Sequence, residues 1–114
     1  MRVAELMEKA NVKPLNKVHD KEIVGGLVTD MVSDVMKSGQ AGNVWVTVQT
    51  HKKVIAAANL VDIAAVIITQ AKNVDSDVLE VADKAEITVF STPLTSWDLV
   101  GELYALGIRM APYG

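Results

Sequence analysis

From about residue 20 onward, short apolar runs alternate with longer segments whose apolar residues recur at helical spacing. A chain that alternates strand and helix in this way folds as βαβ units around a largely parallel sheet, with right-handed crossovers. Glu22-Ile23-Val24-Gly25-Gly26-Leu27-Val28 reads as the first strand of the series, its paired glycines admitting a bulge or a close neighbour. A helix follows with Thr29 or Asp30 as N-cap, Val28, Met31, Val32 and Val35 on its apolar side, and Asp30, Ser33, Asp34 and Lys37 opposite; Gly39 and Gly42 end it. Val44-Trp45-Val46-Thr47-Val48-Gln49 is β-branched and reads as a second strand. Thr50 is expected to cap a helix running from about His51 to Asn59.

Ala64-Ala65-Val66-Ile67-Ile68-Thr69 is continuously apolar, the pattern of a strand covered on both faces. Asp75 or Ser76 opens a helix whose Val78, Val81, Ala82 and Ala85 share a face, and Ile87-Thr88-Val89-Phe90-Ser91 is the next strand. The last helix has a capping box, Thr95-x-x-Asp98, a staple pair in Leu94 and Leu99, a core face of Leu99, Val100, Leu103 and Leu106, and Gly107 as its stop. Upstream, Val3, Leu6, Met7 and Ala10 fall on one face of a short helix within residues 1–11, which Lys13-Pro14-Leu15-Asn16 interrupts. The expected fold is a single α/β domain over residues 1–114, a three-layer sandwich of about four mostly parallel strands flanked by helices.

Half of the residues are apolar but only 4% are aromatic, so the core must be aliphatic. A net charge of −3 provides no electrostatic footprint for nucleic acid. The absence of cysteine removes disulfides, thiol nucleophiles and Cys-ligated metals. The most apolar stretch, Val54 to Ala71, is broken by Asn59 and Asp62, so no membrane span is expected. Glu5, Glu8 and Lys9 break the apolar run that a signal peptide needs, so the expected location is the cytoplasm.

Ligands of open parallel sheets bind beyond the carboxyl ends of the strands. The candidates there are Gln49, Thr50 and His51, then Thr69 and Gln70, then Ser91, Thr92 and Thr95. Such neutral hydrogen-bonding groups suit a phosphate, a carboxylate or a polar base, and as plainly suit helix capping. Thr50, His51, Lys52 and Lys53 make the most anion-friendly turn expected. Gly25 and Gly26 precede a helix and invite a phosphate-loop reading, but neither Gly-x-x-x-x-Gly-Lys-[Ser/Thr] nor Gly-x-Gly-x-x-Gly is present. The ligand-binding candidates are therefore Gly25, Gly26, Gln49, Thr50, His51, Thr69, Thr92 and Thr95. With His19 and His51 the only histidines, no zinc-type spacing exists, and no cofactor is expected. Ser33, His51 and Asp34 form a triad only on paper, with no Gly-x-Ser-x-Gly elbow. Trp45 reads as core, whereas Trp97, beside the capping residues, could anchor an interface or stack on a ligand.

The blocks Ile23-Val24-Gly25-Gly26-Leu27-Val28-Thr29-Asp30-Met31-Val32-Ser33-Asp34-Val35-Met36, Val44-Trp45-Val46-Thr47-Val48-Gln49-Thr50-His51 and Ile67-Ile68-Thr69 resemble the DRTGG domain family, over nearly the whole chain from Val12 onward. Asp20 and Gly25-Gly26 match its signature, while Lys21-Glu22 stand where a basic residue and threonine are expected. The resemblance implies an α/β domain similar to the N-terminal domain of HPr kinase/phosphorylases, and to modules of phosphotransacetylases and CBS-domain pyrophosphatases. It also implies an accessory role in regulation and subunit association rather than catalysis. On this reading the chain is a regulatory module, a homodimer that senses an adenine nucleotide or another small anionic metabolite. Apolar richness, with mean hydropathy +0.25, points the same way; Met31, Val35, Met36 and the Gly-Gly strand are among the expected contacts, with the intramolecular core an equal alternative for Met31 and Val35. The alternative is a small hydrolase or transferase with His51 as general base.

Overall fold

The computed structural model describes residues 1–109, as α1 (Val3–Lys9), β1 (Lys13–Pro14), β2 (Gly25–Val28), α2 (Val32–Ser38), β3 (Asn43–Thr47), α3 (Lys52–Val61), β4 (Ala65–Ile68), α4 (Ser76–Lys84), β5 (Thr88–Ser91) and α5 (Ser96–Ala105). The sheet has five strands in the order β1-β5-β4-β3-β2, in which β2 to β5 are parallel and β1 runs antiparallel to β5. Each crossover from β2 to β5 steps one place in the same direction, so right-handedness puts α2, α3 and α4 on one face. The chain then changes sides after β5, and α5 joins α1 on the other face.

The period-two alternation of the strands fills both interfaces. Trp45, Val66, Ile68 and Val89 point to one side, where Val35, Val54, Ile55, Ala58, Val78 and Ala82 of the helices meet them. Val44, Val46, Ile67 and Phe90 point to the other, against Val3, Leu6, Leu99 and Leu103. The expected three-layer α/β sandwich is thus observed, with one strand more than the four expected. That strand, β1, has two residues, one of them proline, and so carries no strand period that the sequence could show. Its pairing is completed by Asn16, whose Oδ1 accepts the Val89 N–H at 2.8 Å while its Nδ2 donates to the Ile87 carbonyl at 2.9 Å. A side chain there substitutes for strand backbone, which no period in the sequence reveals.

Several local expectations shift. Strand β2 begins at Gly25, and Glu22 makes only an isolated bridge to Arg2. Neither Thr29 nor Asp30 is the N-cap of α2, a position held by Met31. Thr29 Oγ1 instead accepts the Met31 N–H at 3.1 Å and donates to Asp34 at 2.8 Å. Thr50 does not cap α3 either, because the helix starts one residue later with His51 as an N-cap that makes no side-chain capping bond. In α5 the expectation holds: Thr95 accepts the Asp98 N–H, and Gly107 at φ +94 closes a Schellman motif through Gly107 N–H to Tyr104 and Ile108 N–H to Leu103.

Candidate functional site

The carboxyl ends of β2 to β5 form one rim, and its polar side chains are largely engaged with each other. Asp30 precedes α2 and stays exposed while bonding to the end of β3, where its Oδ1 accepts both the Thr47 hydroxyl and the Val48 N–H, each at 2.9 Å. Of the expected polar stripe, Ser33, Asp34 and Lys37 lie exposed on α2, and Asp30 lies outside the helix. Thr47 Oγ1 in turn accepts the Gln49 N–H at 3.1 Å, fixing the start of the loop that carries Thr50 and His51. Thr69 is fully buried with its hydroxyl 3.2 Å from Ser96 Oγ, and buried Thr92 accepts the Leu94 N–H. Thr69, Thr92 and Thr95 thus lie together and serve the fold, while Gln49, Thr50 and His51 keep partial or full exposure. Of the expected lysine pair, Lys52 already holds Asp77 at 3.0 Å.

Gly25 and Gly26 lie elsewhere. They pair with Asn43 and Val44 at the first residues of β2 and β3, the end of the sheet opposite to the rim. The register runs through them with no bulge, and a Cβ on Gly26 would stand 3.2 Å from Val44 Cγ1. Close packing is what this glycine provides. Asp34 bonds to Thr29, so the paper triad with His51 is not assembled. Among the described residues no three carboxylates or imidazoles gather to hold a metal ion.

The sequence reading missed the feature where the two helical layers part. The loop after β4 leads to α4 on one face and the loop after β5 to α5 on the other, and such a switch point is where open α/β sheets place ligands. Gln70 and Ala71 both have left-handed backbone, φ +66 and +50, a conformation that costs an L-residue about 1–2 kcal/mol. The turn persists because the Gln70 N–H donates to the Leu94 carbonyl at 2.9 Å and the Ala71 N–H to the Thr92 carbonyl at 2.8 Å. Without a glycine or Asn-Gly signal, nothing in the sequence marked it. Beside it, between this turn, the β5–α5 loop and the α1–β1 connection, opens a cleft of about 1010 Å³.

A second exposed feature lies on α5, where Trp97 (87% exposed) and Tyr104 (57%) stand over Gly101 and Val100, next to Val28 (51%) of the edge strand β2. Val35 takes the core alternative and is fully buried, whereas Met31 and Met36 are exposed.

The family model of the DRTGG domain matches residues 4–106. The chain belongs to the DRTGG domain family. No curated protein matches it in sequence. Among solved structures, this DRTGG chain is similar to the CBS and DRTGG domains of the regulatory region of Clostridium perfringens pyrophosphatase, a structure complexed with the activator diadenosine tetraphosphate. The TM-score is 0.69 at 15% identity, over 89% of this chain and 45% of that one. At that identity the likeness concerns the fold, and the DRTGG chain spans less than half of its neighbour. No helix among the described residues is long and apolar enough to cross a membrane.

Proposed function

We propose that this DRTGG chain is a non-catalytic regulatory module that pairs with a second copy of itself and responds to a small anionic metabolite, adenine nucleotides first among them. The observation that carries the pairing is the apolar face of α5 with Trp97, Val100 and Tyr104 beside the open edge of β2. A tryptophan 87% exposed beside another aromatic is an interface anchor in waiting, since such side chains dominate binding hot spots. A two-fold axis through this face would bring each copy's Trp97 and β2 edge to the other, and closed pairs are the commonest soluble assembly. The regulatory part is supported by family membership and by a structural neighbour drawn from a regulatory region bound to an adenine-nucleotide activator.

Light scattering across a micromolar dilution series tests the pairing. The expected mass is twice 12.3 kDa for the native chain and 12.3 kDa for Trp97→Asp. A native mass of 12.3 kDa throughout, or a dimer unaffected by Trp97→Asp and Tyr104→Asp, overturns this face as the interface.

A further inference from the structure

We propose that the cleft at the β4–β5 switch point binds a nucleotide, a ligand with a flat apolar body and a phosphate tail. This rests on the metabolite-sensing reading above and gives it a site away from Thr50 and His51. The volume of about 1010 Å³ is at the upper end of the roughly 300–1,000 Å³ of small-molecule sites. Its lining is mixed: Val12, Leu15, Val74, Leu79 and Leu94 are available to a base, and Asn11, Asn73 and Ser91 add polar groups. Its charge is one-sided: Lys13 and Lys72 line it and no carboxylate does, although the chain as a whole carries −3. The nearest acid that the hydrogen bonds place there, Glu102, is taken up by Asn11, whose backbone N–H and side-chain Nδ2 donate to its two oxygens at 3.1 and 2.9 Å.

Among the described residues Lys13 and Lys72 enter no ion pair, in contrast with Lys9 and Lys52. They come from elements far apart in sequence, Lys13 from β1 and Lys72 from the turn after β4, and both line the cleft, where either can meet a phosphate tail. The left-handed pair Gln70-Ala71 immediately precedes Lys72 and sets its backbone direction. Backbone held in such sparse conformations concentrates at ligand sites. The antiparallel β1 and the connection leading to it add Asn11, Val12 and Lys13 to the lining of the cleft.

Titration calorimetry with ADP, adenosine, inorganic pyrophosphate and diadenosine tetraphosphate tests the proposal on the native chain, on Lys13→Ala/Lys72→Ala, and on His51→Ala. All three substitutions are at exposed positions, and circular dichroism checks that the variants fold. The expected result is ADP binding that weakens at least tenfold in the double lysine variant and is unchanged in His51→Ala, with adenosine and pyrophosphate each weaker than ADP. Binding that survives the lysine changes but is lost in His51→Ala overturns the cleft and leaves metabolite sensing standing at the β3 rim. Adenosine binding as tightly as ADP overturns the phosphate role of the lysines, and pyrophosphate doing so overturns the apolar body. No binding of any of the four overturns both the cleft and the nucleotide reading, while the pairing of copies is judged separately by mass.

Discussion

Asp30 and Thr47 meet at 2.9 Å across the carboxyl ends of β2 and β3, and the carboxylate oxygen that takes the Thr47 hydroxyl also takes the Val48 N–H. The pair ties the loop leaving one strand to the last residue of the next, and Thr47 is fully buried. Removing the acceptor strands a buried hydroxyl and a backbone N–H. Asp30→Ala should lower the unfolding free energy by about 1–3 kcal/mol, with Asp30→Asn, which keeps an acceptor, costing less. Urea denaturation reads the difference; equal stability of Asp30→Ala and the native chain would contradict the pairing.

Gly26 faces Val44 Cγ1 at 3.2 Å, the Val44 carbonyl at 3.4 Å and Ile108 Cγ2 at 3.5 Å around the position a Cβ would occupy. A β-branched side chain there presses on Val44 and Ile108, which must give way, and overpacking of this kind costs about 1–3 kcal/mol. Gly26→Val should therefore melt earlier than the native chain and Gly26→Ala should fall between them. A native melting temperature for Gly26→Val would show that β2 moves freely away from α5.

Ala71 sits at φ +50 with its N–H bonded to Thr92, so the turn keeps its shape whatever residue is present. Ala71→Gly relieves the left-handed strain of about 1–2 kcal/mol while adding freedom to the unfolded chain worth part of that. The net gain expected is about 0.5–1 kcal/mol, read by chemical denaturation. A loss of stability would mean that the methyl group makes packing contacts that outweigh the strain.

Four exposed carboxylates have values below their ordinary range: Glu5 through the Arg2 backbone N–H and then Lys9, Asp20 through the Ala4 N–H and then Arg2, Asp77 through Lys52, and Asp83 through His19 and then Asn16. A carboxyl whose folded value is depressed binds fewer protons folded than unfolded, so its contribution is complete above the unfolded value near 4 and disappears as pH falls through the folded value. The urea midpoint should be level from pH 5 to 7 and drop below about pH 4, less steeply in Asp83→Asn and at high salt, where exposed pairs are screened. A midpoint that holds steady down to pH 2.5 would show that these contacts contribute nothing to folding.

The alternation of elements, the buried faces of α4 and α5, and the capping of α5 by Thr95 and Gly107 were determined by the sequence alone. Each depends on residues within one or two turns of each other, where side-chain period and backbone preference act without help from the rest of the chain. The blocks around Gly25-Gly26 and Gln49-Thr50-His51 likewise carried the family. What only the tertiary structure decided is which edges meet. Strand order arises from hydrogen bonds between distant segments, and β1 exists because Asn16 reaches Ile87 and Val89 more than 70 residues along the chain. The same non-local bonding tied Asp30 to Thr47, buried the hydroxyls of Thr69 and Thr92, and carried Gly25 and Gly26 to the far end of the sheet from Thr50 and His51. It also brought Lys13 and Lys72 to the lining of one cleft, a juxtaposition that follows from how distant elements pair and that no local pattern encodes.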